Sequence, residues 1–204
     1  MRDIDADLKL RAGGVAYQTL RLTRIETVAM LANGVLDLGH LTGGLWGGSL
    51  EGHARLDARA EPRASVDIRL DKARLHEAGL VSEDGVGVTE GTANLVAAWT
   101  ASGASEAALV RSLAGKADLQ VTDGVLNGLN LRAISDRLKR IDQVTDLIAL
   151  AQAGMQGGNT PFSALTGTFV AERGVVRTSD LRLVADAAAG DGTATIDLPA
   201  WTLQ

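Results

Sequence analysis

An alternation of apolar and charged residues with a period of two is the feature that most restricts how this 204-residue sequence folds. In residues 3–10 the even positions are apolar and the odd positions are Asp or Lys. The same pattern returns in residues 54–59 and, after the turn Glu61-Pro62-Arg63, in residues 66–70. Because successive side chains of a strand point to opposite faces, the pattern predicts strands with one apolar and one solvated face, as in an antiparallel sheet.

Further strands are predicted along the rest of the chain, which gives about ten in all. They cover residues 92–100, 116–122, 165–171, 175–184 and 193–198. Since 46% of the residues are hydrophobic but only 3% are aromatic, the core is expected to be aliphatic. The 24 glycines favour tight reversals, which are predicted at Asn33-Gly34, Asp123-Gly124, Arg173-Gly174 and Asp191-Gly192.

Two helices are predicted between the strands. Ser105 is placed as the N-cap of a short helix over residues 105–113, which Gly115 closes. A longer amphipathic helix is predicted from Asn130 to Ala153. Its polar face mixes both charge signs, which favours packing on the sheet over the alternative of lying on a membrane surface. The fold class is therefore mainly β with two helices, a β-rich α+β arrangement.

The residues that usually carry chemistry form no catalytic or metal-binding pattern. The chain has no Cys, and its three histidines, His40, His53 and His76, have no helical ligand spacing, so they are interpreted as surface residues. Ser105 lies in Gly-Ala-Ser-Glu-Ala, which lacks the final Gly of a nucleophile elbow. We therefore expect no enzyme, no metal and no cofactor. A net charge of −5 without a basic stripe also argues against a nucleic-acid partner.

The breadth of the predicted sheet raises the question of what covers its apolar face. About ten strands at roughly 4.8 Å spacing give a sheet of about 50 Å, with only two helices to cover it. Curling of the sheet together with those helices would close an ordinary core. Alternatively, part of the face stays open as a groove and requires an apolar partner such as lipid chains. The alternation by itself favours the closed core.

A series of short motifs follows in order between residues 30 and 198. They comprise Leu45-Trp46-Gly47-Gly48 before a strand, the Leu113-Ala114-Gly115 block that runs to Leu131, the segment Thr160 to Gly167, and the closing hairpin Gly190 to Leu198. In this order they resemble the AsmA family, although Asn130 stands where that family usually has Asp. The resemblance covers nearly the whole chain.

The resemblance implies a fold and a cellular context. The fold would be a curved antiparallel sheet of hairpin repeats with an apolar concave face, similar to the repeating-β-groove proteins. Proteins of this family are held to the bacterial inner membrane by an N-terminal helix, have their bulk in the periplasm and take part in outer-membrane biogenesis. Because this sequence lacks that anchor, we expect residues 1–204 to be a single C-terminal domain of a longer protein. Within it, residues 1–90 would form a strand-rich first half, and residues 91–204 a second half with the long helix.

The function that the resemblance implies is binding or transport of lipid along the apolar groove, with a phospholipid or another acyl-chain lipid as the partner. The alternative is an envelope scaffold that binds outer-membrane protein assembly partners, regulates protein targeting to the membrane and has a closed core. The location would be periplasmic, with membrane contact through the N-terminal anchor of the full-length protein. The candidate groove-lining residues are Ile4, Leu8, Leu56, Ile68, Leu95, Leu119, Phe169 and Ile196.

Overall fold

The computed structural model of the protein describes residues 5–17, 20–78, 87–128, 130–132, 135, 158–186, 188–200 and 202–203. These residues form one antiparallel sheet of eleven strands, and the order of the strands in the sheet is their order in the chain. The sheet consists of β1 (Ala6–Tyr17), β2 (Leu20–Ala32), β3 (Val35–Leu45), β4 (Gly48–Asp57), β5 (Arg63–Arg74), β6 (Gly87–Ser102), β7 (Ala114–Asn127), β8 (Asn159–Glu172), β9 (Val175–Ala185), β10 (Ala189–Asp197) and β11 (Thr202–Leu203). Two short helices accompany them, α1 (Leu75–Ala78) and α2 (Glu106–Ser112).

The predicted fold class, mainly β with a curved antiparallel sheet, is confirmed. The helix predicted at Ser105 is α2, and the Ser105 hydroxyl accepts the Ala108 backbone N–H at 3.2 Å, as an N-cap does. The second helix predicted, residues 130–153, lies outside the described residues apart from 130–132 and 135. The one-turn helix α1 was not predicted, because four residues are too few to show a helical period.

Two predicted reversals and one predicted helix end are wrong. The segment Asp123-Gly124 lies inside β7, where both residues stand opposite Gly91 of β6 as a β-bulge. Asp191-Gly192 lies inside β10 and is paired with β9. Gly115 does not close α2, because Leu113 is the C-cap and Gly115 is already part of β7. At Asp123-Gly124 the positive φ belongs to Asp123 and serves a bulge, so an Asp-Gly dipeptide alone does not distinguish a turn from a position inside a strand.

Bulges recur along the strands and curl the sheet. Arg24, His40, Lys72 and Asp123 all have positive φ, and each lies where the register between neighbouring strands shifts. At the third of these the backbone N–H of Lys72 donates to Asn94 Oδ1 at 2.9 Å, which holds the extra residue in place. Since a bulge bends its strand and increases the twist, repeated bulges turn a broad sheet into a trough.

The buried core lies at one end of the strands. We call it the α1 end, because it contains α1 and the Trp46-Gly47 turn, and we call the opposite end, with α2 and the Asn33-Gly34 turn, the α2 end. The core cluster consists of Leu50, Leu70, Ala73, Leu75, Ala93, Val121 and Phe162. Leu75 and Ala78 bury the inner side of α1 at this end. The apolar face of the sheet is therefore closed at the α1 end.

Candidate functional site

The apolar face of the sheet carries rows of side chains that cross the strands. Residues directly opposite each other in neighbouring strands share a face, so the register traces each row from strand to strand. One row, which we call the long row, crosses from β1 to β10. It consists of Leu8, Ala29, Leu38, Ala54, Val66, Trp99, Gly115, Ala171, Val176 and Ile196. Every member of the long row is apolar or glycine.

Parallel rows on the same face are also apolar. Toward the α2 end runs the row Ala6, Leu31, Leu36, Leu56, Ala64 and Ala101. Toward the α1 end run the row Leu41, Gly52, Ile68, Ala97, Ala117 and Phe169, and the row Gly43, Leu50, Leu70, Leu95, Leu119 and Gly167. The face is thus a continuous apolar surface of mostly aliphatic side chains.

The structure places seven of the eight predicted lining residues on this one face, and Ile4 lies outside the described residues. Leu8 and Ile196 lie near opposite ends of the long row. Leu56 lies on the neighbouring row at the α2 end, and Ile68 and Phe169 share one row. Leu95 and Leu119 stand directly opposite each other. Whether these residues line a lipid groove stays a prediction.

The same residues divide into an exposed group and a packed group. Leu8 is 52% exposed and Leu56 is 42% exposed, whereas Ile68, Leu95 and Leu119 are half-buried and pack against the core cluster. Phe169 and Ile196 are half-buried as well. Among the predicted residues, exposure is therefore greatest at the α2 end of β1 and β4, away from the core. Val15 and Leu20, at the other end of β1 and β2, are also exposed.

Two exposed residues of this surface were not predicted. Leu10 is 46% exposed and lies on the same side of β1 as Leu8, and Val66 is 36% exposed on the long row. We call Leu8, Leu10, Leu56 and Val66 together the exposed patch. The alternation contained a signal for both missed residues, since Leu10 and Val66 are in phase with Leu8 and Ile68.

Two buried threonines on the apolar face are hydrogen-bonded within the protein. Thr27 stands opposite Leu10 and is buried, and its hydroxyl donates to the Gly39 carbonyl at 3.0 Å. Thr178 on β9 is also buried, and its hydroxyl donates to Asp180 Oδ1 at 3.1 Å. Because both hydroxyls have an internal acceptor, neither needs water from the apolar side. The face remains suited to a partner that offers no hydrogen bonds.

The opposite face, which we call the polar face, is charged and solvated. A row across it consists of Glu51, Arg69, Val96, Asp118 and Thr168. Asp37 on this face is 3.0 Å from His53 Nε2 and 3.3 Å from Arg55 Nη1. Such exposed pairs contribute little to stability but keep this face in water.

One carboxylate of the polar side is held by backbone and hydroxyl donors. The Thr168 backbone N–H donates to Asp180 Oδ1 at 2.8 Å, and this hydrogen bond, with others from Thr168 and Thr178, lowers the pKa of Asp180 below its ordinary value. The arrangement links β8 to β9 where their register shifts. It stabilises the sheet and offers no acid or base of raised pKa.

A polar cavity of about 460 Å³ lies at the α2 end, lined by Arg55, Asp57, Arg63, Ser102 and Ser112 among others. The Ser112 hydroxyl accepts the Ser102 backbone N–H at 2.7 Å and donates to the Ser102 carbonyl at 2.6 Å. This serine therefore fastens α2 to the end of β6. Within the described part of the chain, no group of three or more His, Cys, Asp or Glu side chains is placed to hold a metal ion.

The comparisons with known proteins give one match. A family model described as the AsmA family matches residues 1–181, which is most of the chain. No curated protein and no solved structure matches it significantly. Among the described residues, no helix combines the length and hydropathy that a membrane crossing requires.

Proposed function

The chain belongs to the AsmA family, and on this premise we propose that it is a non-enzymatic domain that binds the acyl chains of lipids on the apolar face of its sheet. Membership in the family supports a function related to the bacterial envelope and its outer membrane. The proposal adds that the domain works in the periplasm, on a full-length protein attached to the inner membrane. It also adds that bound lipid moves along the sheet.

The observation that carries the proposal is the exposed patch, whose four aliphatic side chains remain accessible on the apolar face. Leu8 and Leu56 are each more than two-fifths exposed, although both lie on rows whose other members are apolar. Covering such side chains with hydrocarbon gains about 0.8 kcal/mol for each CH₂ group buried. An exposed aliphatic surface of this kind on a sheet is typical of a binding site for an apolar partner.

The shape of the long row supports an extended chain as that partner. Small residues alternate with larger ones at its exposed end, where Ala29 lies between Leu8 and Leu38, and Ala54 between Leu38 and Val66. The small side chains of these alanines leave shallow depressions in the surface between the bulkier side chains. From β1 to β10 the row crosses nine strand spacings of about 4.8 Å, or about 43 Å. One membrane leaflet is about 15 Å deep in hydrocarbon, so the row has room for more than one acyl chain along its length.

The test is lipid content of the purified chain, measured by native mass spectrometry and by organic extraction with lipid identification. Wild type is expected to carry phospholipid. The double variant Leu8→Asp/Leu56→Asp is expected to lose most of it, because two carboxylates on the exposed patch would need desolvation beneath the acyl chain. Both positions are exposed, so the fold should survive, and thermal unfolding by circular dichroism checks this.

Val96→Asp is the matched control. Val96 is also an aliphatic strand residue, 48% exposed, but it lies on the polar face. Its replacement adds one carboxylate to the same sheet, as each substitution of the double variant does, and should leave the lipid content unchanged. Equal lipid in wild type and in Leu8→Asp/Leu56→Asp would overturn the proposal, and so would wild type free of lipid after expression in a bacterial envelope.

A second candidate function is a scaffold for envelope assembly proteins. The observation that favours it is burial on the second half of the same face, where Ala97, Ala117, Ala171 and Val176 are all buried by the protein itself. A face that closed in this way throughout would bind no lipid and would leave the polar face for a protein partner. Crosslinking from Val96 on the polar face and from Leu56 on the apolar face separates the two functions. A protein adduct that forms from Val96 and not from Leu56 favours the scaffold. A lipid adduct that forms from Leu56 and not from Val96 favours lipid binding.

A further inference from the structure

The outer edge of β1 is a long strand edge without a neighbour among the described residues. Its twelve residues contain no Pro and no positive φ, and its register with β2 has no shift. Proline, bulges, very short edge strands and charged side chains are the usual devices that keep edges from pairing, and β1 has only the charged side chains. At the other side of the sheet β11 has only two residues. The β1 edge is thus a flat row of backbone donors and acceptors ready to pair.

The charges along β1 are ordered by sign. Asp5 and Asp7 come first and Lys9 and Arg11 follow, at every second position and all exposed. An acidic half followed by a basic half becomes complementary to itself when a second copy runs antiparallel alongside. The order of the charges therefore favours antiparallel pairing of two copies, which the backbone of an edge strand can also form.

Backbone geometry limits which register such a pair can take. Alternate residues of an edge strand direct their N–H and C=O groups outward, so two copies pair only when positions of the same parity stand opposite. One residue must then face its own copy on a twofold axis. An axis at Asp7, Lys9 or Arg11 sets like charges against each other. An axis at Leu10 sets Lys9 against Arg11 of the second copy, and an axis at Ala12 or beyond leaves the charges unmatched.

Whereas an axis at Ala6 sets Asp5 against Asp7 of the second copy, an axis at Leu8 matches all four of these charges. Asp7 then faces Lys9 of the second copy, Asp5 faces Arg11, and each contact occurs twice by symmetry. On the apolar side, Leu8 faces Leu8 and Leu10 faces Ala6. We propose that two copies of this chain associate through β1, antiparallel and centred on Leu8, into one continuous sheet. The association goes beyond lipid binding and does not depend on it.

The charges that would meet keep groups available for this contact, including Asp5, whose Oδ1 accepts the Asn33 backbone N–H at 3.2 Å. Asp7 and Lys9 have no ion-pair partner among the residues that the structure describes, and across β2 they stand opposite Met30 and Val28. Arg11 Nε is 3.3 Å from Glu26 Oε1, which leaves its terminal nitrogens for a second carboxylate. Exchanging Asp7 and Lys9 therefore changes no charge pair inside one chain, and this makes a clean test.

The experiment measures self-association by sedimentation equilibrium across the micromolar to millimolar range. Wild type is expected to dimerise weakly, and Asp7→Lys and Lys9→Asp should each weaken the dimer about tenfold or more, because each turns two attractions into two repulsions. The exchange variant Asp7→Lys/Lys9→Asp should regain wild-type association. An equimolar mixture of Asp7→Lys with Lys9→Asp should form heterodimers that neither variant forms alone.

These outcomes separate this pairing from other associations. A dimer that Asp7→Lys leaves unchanged uses another surface and overturns the proposal, as does an exchange variant that fails to recover association. Wild type that stays monomeric throughout also overturns it, and would leave the β1 edge to a different polypeptide segment. The second-copy pairing is supported only when the single substitutions weaken the dimer and the exchange restores it.

Discussion

Leu8 on β1 and Ile196 on β10 lie on the same cross-strand row, although 188 residues separate them in the sequence and eight strands lie between their own. At each pairing of neighbouring strands the row continues through an apolar residue or glycine. The apolar face is therefore continuous from one edge of the sheet almost to the other. The two residues were predicted to line a groove from the resemblance to the AsmA family, together with their place in the alternation. The structure places both residues on one continuous row. Because the two ends of the strands differ in packing, substitutions at the two ends should have different effects.

Truncation of core and patch residues should have different costs. Leu70→Ala removes a side chain that is 3% exposed and packed in the core cluster, so it should lower the free energy of unfolding by about 2–5 kcal/mol. Leu56→Ala, at the open end of the same face, should lower it by less than about 1 kcal/mol. Urea denaturation followed by circular dichroism measures both. Equal losses would mean that Leu56 is packed as tightly as Leu70.

The Ser105 hydroxyl should act as a cap and not as a nucleophile. Ser105→Ala removes the hydrogen bond to the Ala108 N–H and should lower the free energy of unfolding by about 1 kcal/mol. Ser105→Asp, which keeps an acceptor at that position, should retain most of the stability. Lipid content should be the same in both variants. A hydrolase activity that disappears in Ser105→Ala would contradict this role.

Gly115 should tolerate no side chain. Its φ of +150° disfavours other residues, and a Cβ built there would overlap the Ala98 carbonyl oxygen and stand 2.8 Å from Trp99 Cα. Gly115→Ala should therefore destabilise the protein by about 2 kcal/mol or more. Gly190→Ala is the matched control, because a Cβ at Gly190 meets nothing within 4 Å. Thermal unfolding of the two variants gives the comparison, and similar melting temperatures would contradict it.

Acid should remove the contribution of Asp180. The pKa of this carboxyl is lowered in the folded state by hydrogen bonds, chiefly from the Thr168 backbone N–H. The unfolded state therefore takes up the proton first, so the contribution is complete above the unfolded pKa of about 3.9 and is lost as the pH falls through the folded pKa. Asp180→Ala should be less stable than wild type at neutral pH, and the difference should shrink below about pH 4. Urea denaturation across this range tests it, and a constant difference would contradict it.

The sequence predicts the strands well where both faces follow the alternation. Residues 66–70 lie within β5, whose remaining residues extend the strand through the bulge at Lys72, where the alternation changes phase. No strand was predicted over β2, since Val28 and Met30 place exposed aliphatic side chains on its polar face. The local pattern therefore predicts which residues form strands better than it predicts how far they run.

The alternation does not predict which residues of the apolar face are exposed and which are packed. Ile68 and Leu56 have the same phase in the sequence, but Ile68 packs against the core cluster and Leu56 is largely exposed. The difference comes from α1 and from the curling at the bulges, which bring distant segments over one end of the strands. The core cluster and the exposed patch use the same residue types, so only the tertiary structure separates them.

The strand order, identical to the chain order, also bears on how the domain folds. Every strand pairs only with its neighbours in the sequence, so nearly all contacts form within successive hairpins, and contact order stays low despite the all-antiparallel sheet. Such a chain acquires structure hairpin by hairpin, with each new strand templated on the one before it, as in linear repeat proteins. The connection between β7 and β8 is the longest interval in this series, and docking of β8 is therefore the step with the greatest loop-closure cost. The protein is therefore expected to fold by propagation between neighbouring hairpins, starting from whichever hairpin forms first.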